Sequence, residues 1–156
     1  MKSRLILLLT LILVASCTTQ DICDEDSQSI LVARFRTQVN NEIVDTLLTG
    51  FSIHGIREGW VDRPLYDSVS TGKIGIPLDP NHDFSRFVLS AGDKSDTLVI
   101  YHSSEAYLIS YTCGFAARFT LEEFRYSGGL ITDLELIKAD VDAELETDEE
   151  HIWIYF

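Results

Sequence analysis

Polar and apolar residues alternate along most of this chain with the two-residue period of a strand. Between Ile30 and Thr37, Leu31, Ala33 and Phe35 fall on one face and Arg34 and Arg36 on the other. Successive side chains of an extended backbone point to opposite sides, so the pattern predicts a half-buried strand. Gln38-Val39-Asn40-Asn41 predicts a turn, followed by strands over 43–48 and 50–56. Residues 59–67, with Pro64, Trp60 and Tyr66, predict an irregular stretch in which Trp60 folds back as a core plug. Further strands are predicted over 73–78, 86–90, 97–102, 107–112, 115–121, 131–141 and 151–156. Gly92-Asp93-Lys94-Ser95-Asp96 reads as a hairpin turn, and Ser127-Gly128-Gly129 as a break. Such a run of short strands without a strong helical period predicts an all-β fold, an antiparallel sandwich of immunoglobulin-like type. A small closed β-barrel is the alternative. Ala139 to Glu150 is rich in helix formers, but its β-rich flanks favour strand and loop.

One stretch departs from the alternation. Leu5 to Ala15 is apolar apart from Thr10, follows the basic Lys2 and Arg4, and leads into Val14-Ala15-Ser16-Cys17. At 1.5 Å per residue, so short a run covers only about half of a ~30 Å hydrocarbon core, which excludes a spanning helix. Basic flank, short apolar core and small residues before a cut describe a secretory signal. A cysteine directly after Ala15-Ser16, with Val14 three positions before it, resembles the lipobox of bacterial lipoproteins. The expectation is a signal peptide over 1–16, a lipidated acidic tether over 17–28 and a single domain over 29–156. Diacylation and further acylation at Cys17 would anchor the chain stably in a membrane. Thr18 rather than Asp after Cys17 favours the outer membrane, at its periplasmic face or the cell surface.

Charge then narrows the partners. The chain carries 12 basic and 25 acidic residues, a formal charge of −13. Loss of Lys2 and Arg4 with the signal leaves 10 against 25, or −15. This disfavours nucleic acid and suits an extracytoplasmic domain. With Cys17 committed to lipid, Cys23 and Cys113 remain in a disulfide-permissive compartment, and a bridge between them is expected. It would shorten the tether to about five residues, or ~20 Å when extended.

Candidate chemistry is sparse. Asp79-Pro80-Asn81-His82-Asp83 opens like a calcium loop, but Phe84 and Ser90 stand where an EF-hand needs Gly and Glu. An Asx-rich turn is expected instead, leaving Asp79, Asn81 and Asp83 as weak metal candidates. Asp140, Asp142, Glu144, Glu146, Asp148, Glu149 and Glu150 form an acidic segment whose even-numbered members would share a strand face. Asp140 and Asp142 are therefore weak calcium candidates, against the plainer reading of a solvated acidic edge. His54, His82, His102 and His151 have no short metal-ligand spacing. No nucleophile elbow, phosphate loop or dinucleotide fingerprint occurs. No cofactor and no catalytic residue are expected.

Several short segments together carry a resemblance. They are Cys23, Asp45-Thr46-Leu47, Ile74-Gly75-Ile76-Pro77-Leu78, Asp96-Thr97-Leu98, Ser110-Tyr111-Thr112-Cys113-Gly114-Phe115 and His151-Ile152-Trp153-Ile154-Tyr155-Phe156. In these the chain resembles DUF6452, a family of small Bacteroidetes lipoproteins of unknown function. The resemblance implies an extracytoplasmic β-domain with no established activity or cofactor, and an outer-membrane β-barrel protein as a candidate partner. The expected function is that of a non-enzymatic, membrane-anchored binding or accessory module. A calcium-dependent carbohydrate- or protein-binding module and a carboxylate-based hydrolase are the alternatives.

Overall fold

A computed structural model describes residues 28–57, 64–143 and 149–156. Among them the chain forms eleven strands and no helix. These are β1 (Ile30–Val39), β2 (Glu42–Asp45), β3 (Leu48–Gly55), β4 (Pro64–Thr71), β5 (Lys73–Pro77) and β6 (Phe84–Ala91). They continue with β7 (Lys94–Ser110), β8 (Gly114–Tyr126), β9 (Asp133–Leu136), β10 (Asp140–Val141) and β11 (Ile152–Tyr155). Two sheets pack face to face as a β-sandwich. One runs β2-β1-β11-β9, with β5 also paired to β1; the other runs β10-β8-β7-β6-β3-β4. Neither sheet closes on itself, so the barrel alternative is not formed.

Alternation decides which side chains meet between the sheets. Leu31, Ala33 and Phe35 of β1 point inward with Ile74 and Ile76 of β5 and Ile152 and Ile154 of β11. They face Phe51, Ile53, Phe87, Leu89, Leu98, Ile100, Phe119 and Leu121 from the other sheet. Phe35 meets Phe51 edge-on, with centroids 4.9 Å apart, and this pair lies at the centre of the core. Burying each such large apolar side chain contributes roughly 1.5–3 kcal/mol. Outside, Arg36 stacks on Trp153 at 4.0 Å and pairs with Asp45 at 3.1 Å.

Three departures from the expected strands have physical causes. Residues 64–71 form a strand rather than irregular chain. β4 is an edge strand, bonded only to β3 through repeated register shifts, and it starts at Pro64, where no ladder hydrogen bond is lost. The expected strands over 97–102 and 107–112 are halves of one 17-residue strand, β7. Its middle, Ser103 to Ala106, is exposed and lacks alternation because it has left the core. β8 continues past Leu121 to Tyr126, since an extra residue at Glu122 shifts the register and lets Phe124 pack against the core. The 131–141 segment divides into β9 and β10, with Asp140-Val141 in strand.

β7 and β8 also make the longest hairpin. β6 accompanies β7 only from Lys94 to Tyr101, and β10 accompanies β8 only at Phe119-Thr120. From the Glu105–Arg118 pair outward the hairpin is two-stranded, ending in a turn at Tyr111-Thr112-Cys113.

Candidate functional site

The most polar buried corner lies where the turn before β6 meets β7. Asp79 ends the stretch after β5 and folds back on itself. Its Oδ1 accepts the Asn81 amide at 3.1 Å, and its Oδ2 takes His82 Nδ1 at 3.0 Å and the Arg57 guanidinium at 2.9 Å. This is the Asx turn expected from the sequence. Burial works against the Asp79 charge, but the Asn81 amide, His82 and Arg57 outweigh it and hold the carboxyl below its ordinary range. Its oxygens are thus already engaged.

Below the turn, Ser85 and His102 form a buried pair with Oγ···Nε2 2.9 Å, and Ser85 Oγ accepts the Asp79 amide at 2.8 Å. Burial keeps His102 below its ordinary pKa, although Asp79, Asp83 and Glu122 pull the other way. The neutral ring pairs best by donating from Nε2 to Ser85, which leaves the Nδ1 lone pair unpartnered in a contact with Phe119. A serine–histidine nucleophile needs an orienting partner on the far nitrogen and an accessible hydroxyl. Here His102 is 1% exposed and Ser85 5%. The pair joins two strands across the sheet. A cleft of about 180 Å³ opens above it, lined by Asn81, His82, Asp83, Ser103 and Ser104. Sequence reading missed this meeting of His82, His102 and Asp79, because its members are 3 to 23 positions apart with no repeating period.

The acidic segment sits elsewhere. Asp140 accepts from the Thr120 hydroxyl at 3.2 Å on the edge strand β10. β7 and β8 stand between that edge and the 79–83 turn, about 14 Å at ordinary strand spacing. The two sets of calcium candidates, Asp79, Asn81 and Asp83 against Asp140 and Asp142, therefore do not converge. Glu144, Glu146 and Asp148 lie outside the described residues. Glu149 pairs with Lys138, while Glu150 takes Arg34 and the Trp153 indole N–H, the latter at 2.6 Å. Burial opposes the Glu150 charge, but Trp153 and Arg34 hold its pKa low. Among the described residues no three His, Cys, Asp or Glu side chains assemble a metal centre. A glycosidase-type general acid requires a raised carboxyl pKa; among the described residues the buried carboxylates Asp79 and Asp96 are both held low.

A second polar site was not anticipated. Asp96, read as part of a turn, is the first buried residue of β7 and is 2% exposed. Its carboxylate accepts the backbone N–H groups of Ser127 (2.6 Å), Gly128 (3.0 Å), Leu130 (3.1 Å) and Ile131 (3.0 Å), and the Ser127 hydroxyl. Burial would raise its pKa, but these donors prevail and lower it. Asp96 thus ties down the crossing from β8 in one sheet to β9 in the other. Gly129 completes the site: an added Cβ would run into the Ser95 carbonyl oxygen. The only sequence signal was Asp96 at a strand opening and Ser-Gly-Gly some thirty residues on.

Cys17, Cys23 and Trp60 lie outside the described residues. Cys113 is half-buried in the β7–β8 turn, where its amide donates to Ser110 Oγ at 3.0 Å. Around it Leu108, Tyr111 and Phe115 are exposed.

The pattern of a known family matches residues 51–156, from the middle of β3 to the end of the chain. The chain belongs to DUF6452, a family of unknown function. The DUF6452 match includes Asp96, the Ser127–Ile131 turn, the β7–β8 hairpin and β11. Cys17, Cys23 and Asp45-Thr46-Leu47 precede it. No curated protein and no solved structure matches this DUF6452 member.

Proposed function

We propose that this protein is a lipid-anchored, extracytoplasmic β-sandwich that serves as a non-enzymatic binding or accessory module at the bacterial outer membrane. Val14-Ala15-Ser16-Cys17 supplies the anchor, and Cys23 with Cys113 supplies the clip that shortens the tether. The observation that carries this reading is the hydrogen bond from Ser29 Oγ to the Ala117 carbonyl. It brings the first described residues alongside β8, four positions from Cys113. Ala117 is about 13 Å from Cys113 along a strand, and the six residues from Cys23 to Ser29 can span about 20 Å. A Cys23–Cys113 bridge is therefore within the reach of the chain without disturbing β1. An outer-membrane β-barrel protein is the partner this placement suits, because a short tether keeps the sandwich against the bilayer. The calcium-dependent reading has less support, since its candidate ligands are split between the edge strand β10 and the turn before the interior strand β6.

Affinity purification of the lipidated protein from detergent-solubilised envelope tests the reading, with intact-mass analysis of the recovered chain. The expected result is a mature chain acylated on residue 17 that co-purifies with an envelope protein. A chain without acyl mass, or recovery of no envelope partner across several mild detergents, would overturn the anchor or the accessory role respectively.

A further inference from the structure

The outer end of the β7–β8 hairpin differs chemically from the rest of this acidic protein. From Ala106 to Ala117 it contains no charged residue, although Glu105 and Arg118 are cross-strand neighbours at its base. Tyr111 is 100% exposed, Phe115 71% and Leu108 45%. Leu108 and Phe115 are cross-strand partners and so share a face, while Tyr111 crowns the turn. The Tyr107 hydroxyl accepts the Ala143 amide at 3.3 Å and Ala116 is buried, so the hairpin is braced below its exposed Leu108, Tyr111 and Phe115. Ser110 is five positions beyond Glu105, which raises the tip about 16 Å above the Glu105–Arg118 level.

We propose that this tip is a second membrane contact, with Leu108, Tyr111 and Phe115 resting in the headgroup layer of the bilayer that holds the lipid on Cys17. The proposal rests on the lipid-anchor reading. Three observations select a lipid surface as the occupant. The tip carries aromatic and aliphatic side chains without charge, the composition that gains by entering an interface and loses little hydration. The remaining mature chain, with 10 basic against 25 acidic residues and a formal charge of −15, would be repelled by anionic headgroups, so an uncharged projection is the part able to approach them. Finally, the Ser29–Ala117 contact starts the anchored segment at the flank of this same hairpin. The twelve residues from Cys17 to Ser29 extend at most about 40 Å, and with Cys23 held at Cys113 the acylated residue lies within about 20 Å of the tip. Anchor and tip would then fix the orientation of the sandwich, which a flexible single-point attachment does not.

The test is hydroxyl-radical footprinting of the full mature lipidated protein, reconstituted in vesicles of phosphatidylethanolamine and phosphatidylglycerol (3:1) and compared with the same protein in dilute detergent. Tyr111 and Phe115 should be oxidised several-fold more slowly on vesicles, with exposed Leu47 unchanged. The double variant Y111S/F115S should keep its melting midpoint and its flotation with vesicles, and its lipid-facing hairpin peptide should lose the protection. Unprotected Tyr111 and Phe115 in protein that still floats with the vesicles would overturn the tip contact and leave the anchor standing. Protection seen only in native envelope, not in protein-free vesicles, would overturn it in favour of a protein partner. Failure of the wild type to float would overturn both readings.

Discussion

Removal of the Asp96 acceptor is expected to be among the most damaging single changes in the domain. In the folded chain this carboxylate serves the amides of Ser127, Gly128, Leu130 and Ile131 and the Ser127 hydroxyl. Hydrogen bonds to a charged group contribute about 1.5–3 kcal/mol each, but donors sharing one acceptor are not additive. A better guide is what each variant leaves unpaired. Asp96→Asn keeps one carbonyl oxygen and turns an NH₂ toward amides that are themselves donors. At least two buried N–H groups then lack an acceptor, at about 1–3 kcal/mol each, so the expected loss is about 3–5 kcal/mol. Asp96→Ala removes both oxygens and should cost more, against a total of about 5–15 kcal/mol for a domain of this kind. With a urea slope in the usual range of about 1–3 kcal/mol/M, Asp96→Asn lowers the midpoint by about 2 M. Hydrogen exchange then separates a local latch from general weakening. The 127–131 amides should lose protection beyond the global change, while those of β1 and β11 follow it. The wild type adds a pH signature. Its folded Asp96 pKa is lowered, so this stabilisation is complete above the unfolded value near 3.8 and is lost as pH falls through the folded value. Midpoints of both variants within about 0.5 M of wild type would refute the reasoning, because the amides would then be satisfied without the carboxylate.

Three further outcomes are expected. Gly129→Ala should lower the melting temperature by several degrees, because its Cβ meets the Ser95 carbonyl and the turn must shift; an unchanged thermal midpoint would show the backbone yields freely. His102 and His151 are both held low mainly by burial, and His151 Nδ1 accepts the Val32 amide at 2.9 Å, which a proton there would forbid. Their stabilisation is therefore complete above about pH 6.5 and lost as pH falls below it, by up to about 1.4 kcal/mol per pH unit for each; urea midpoints that stay flat from pH 7.5 to 5.5 would contradict this. The proposed Cys23–Cys113 bridge closes a loop of about 90 residues, and Cys113→Ser should cost about 2–4 kcal/mol in unreduced mature protein. Two free thiols in that material by mass spectrometry would refute the pairing.

The sandwich was legible because a core imposes alternation. Wherever a strand has one face inward, as at Leu31, Ala33 and Phe35, or at Leu98 and Ile100, the pattern identifies both the element and its buried side. The pattern lapsed where that constraint is absent. β4 lies at an edge, the outer half of β7 has left the core, and Glu122 interrupts the period of β8 with an extra residue. The polar sites were hidden for a different reason. Asp96 meets its donors more than thirty positions away, and His102 meets Ser85 across paired strands, so no spacing in the sequence announces them. The 79–83 turn was readable because Asp79 and Asn81 act on neighbours within the same loop.

The parallel pairing of β1 with β11 sets a condition on how this domain is made. Ala33 lies opposite Ile152 and Arg36 opposite Tyr155, so β1 obtains its parallel neighbour from a strand more than a hundred positions later. Until β11 is present, one long edge of β1 is open and Phe35 lacks both the Phe156 ring 5.0 Å away and the inward wall of Ile152 and Ile154. Contacts of such sequence separation form slowly, because loop closure must precede any gain from pairing. An emerging chain can assemble the β6–β7–β8 meander early, but the sandwich stays incomplete until β11 is available. Folding of the sandwich therefore waits on β11, and a product shortened before Ile152 leaves that edge of β1 exposed.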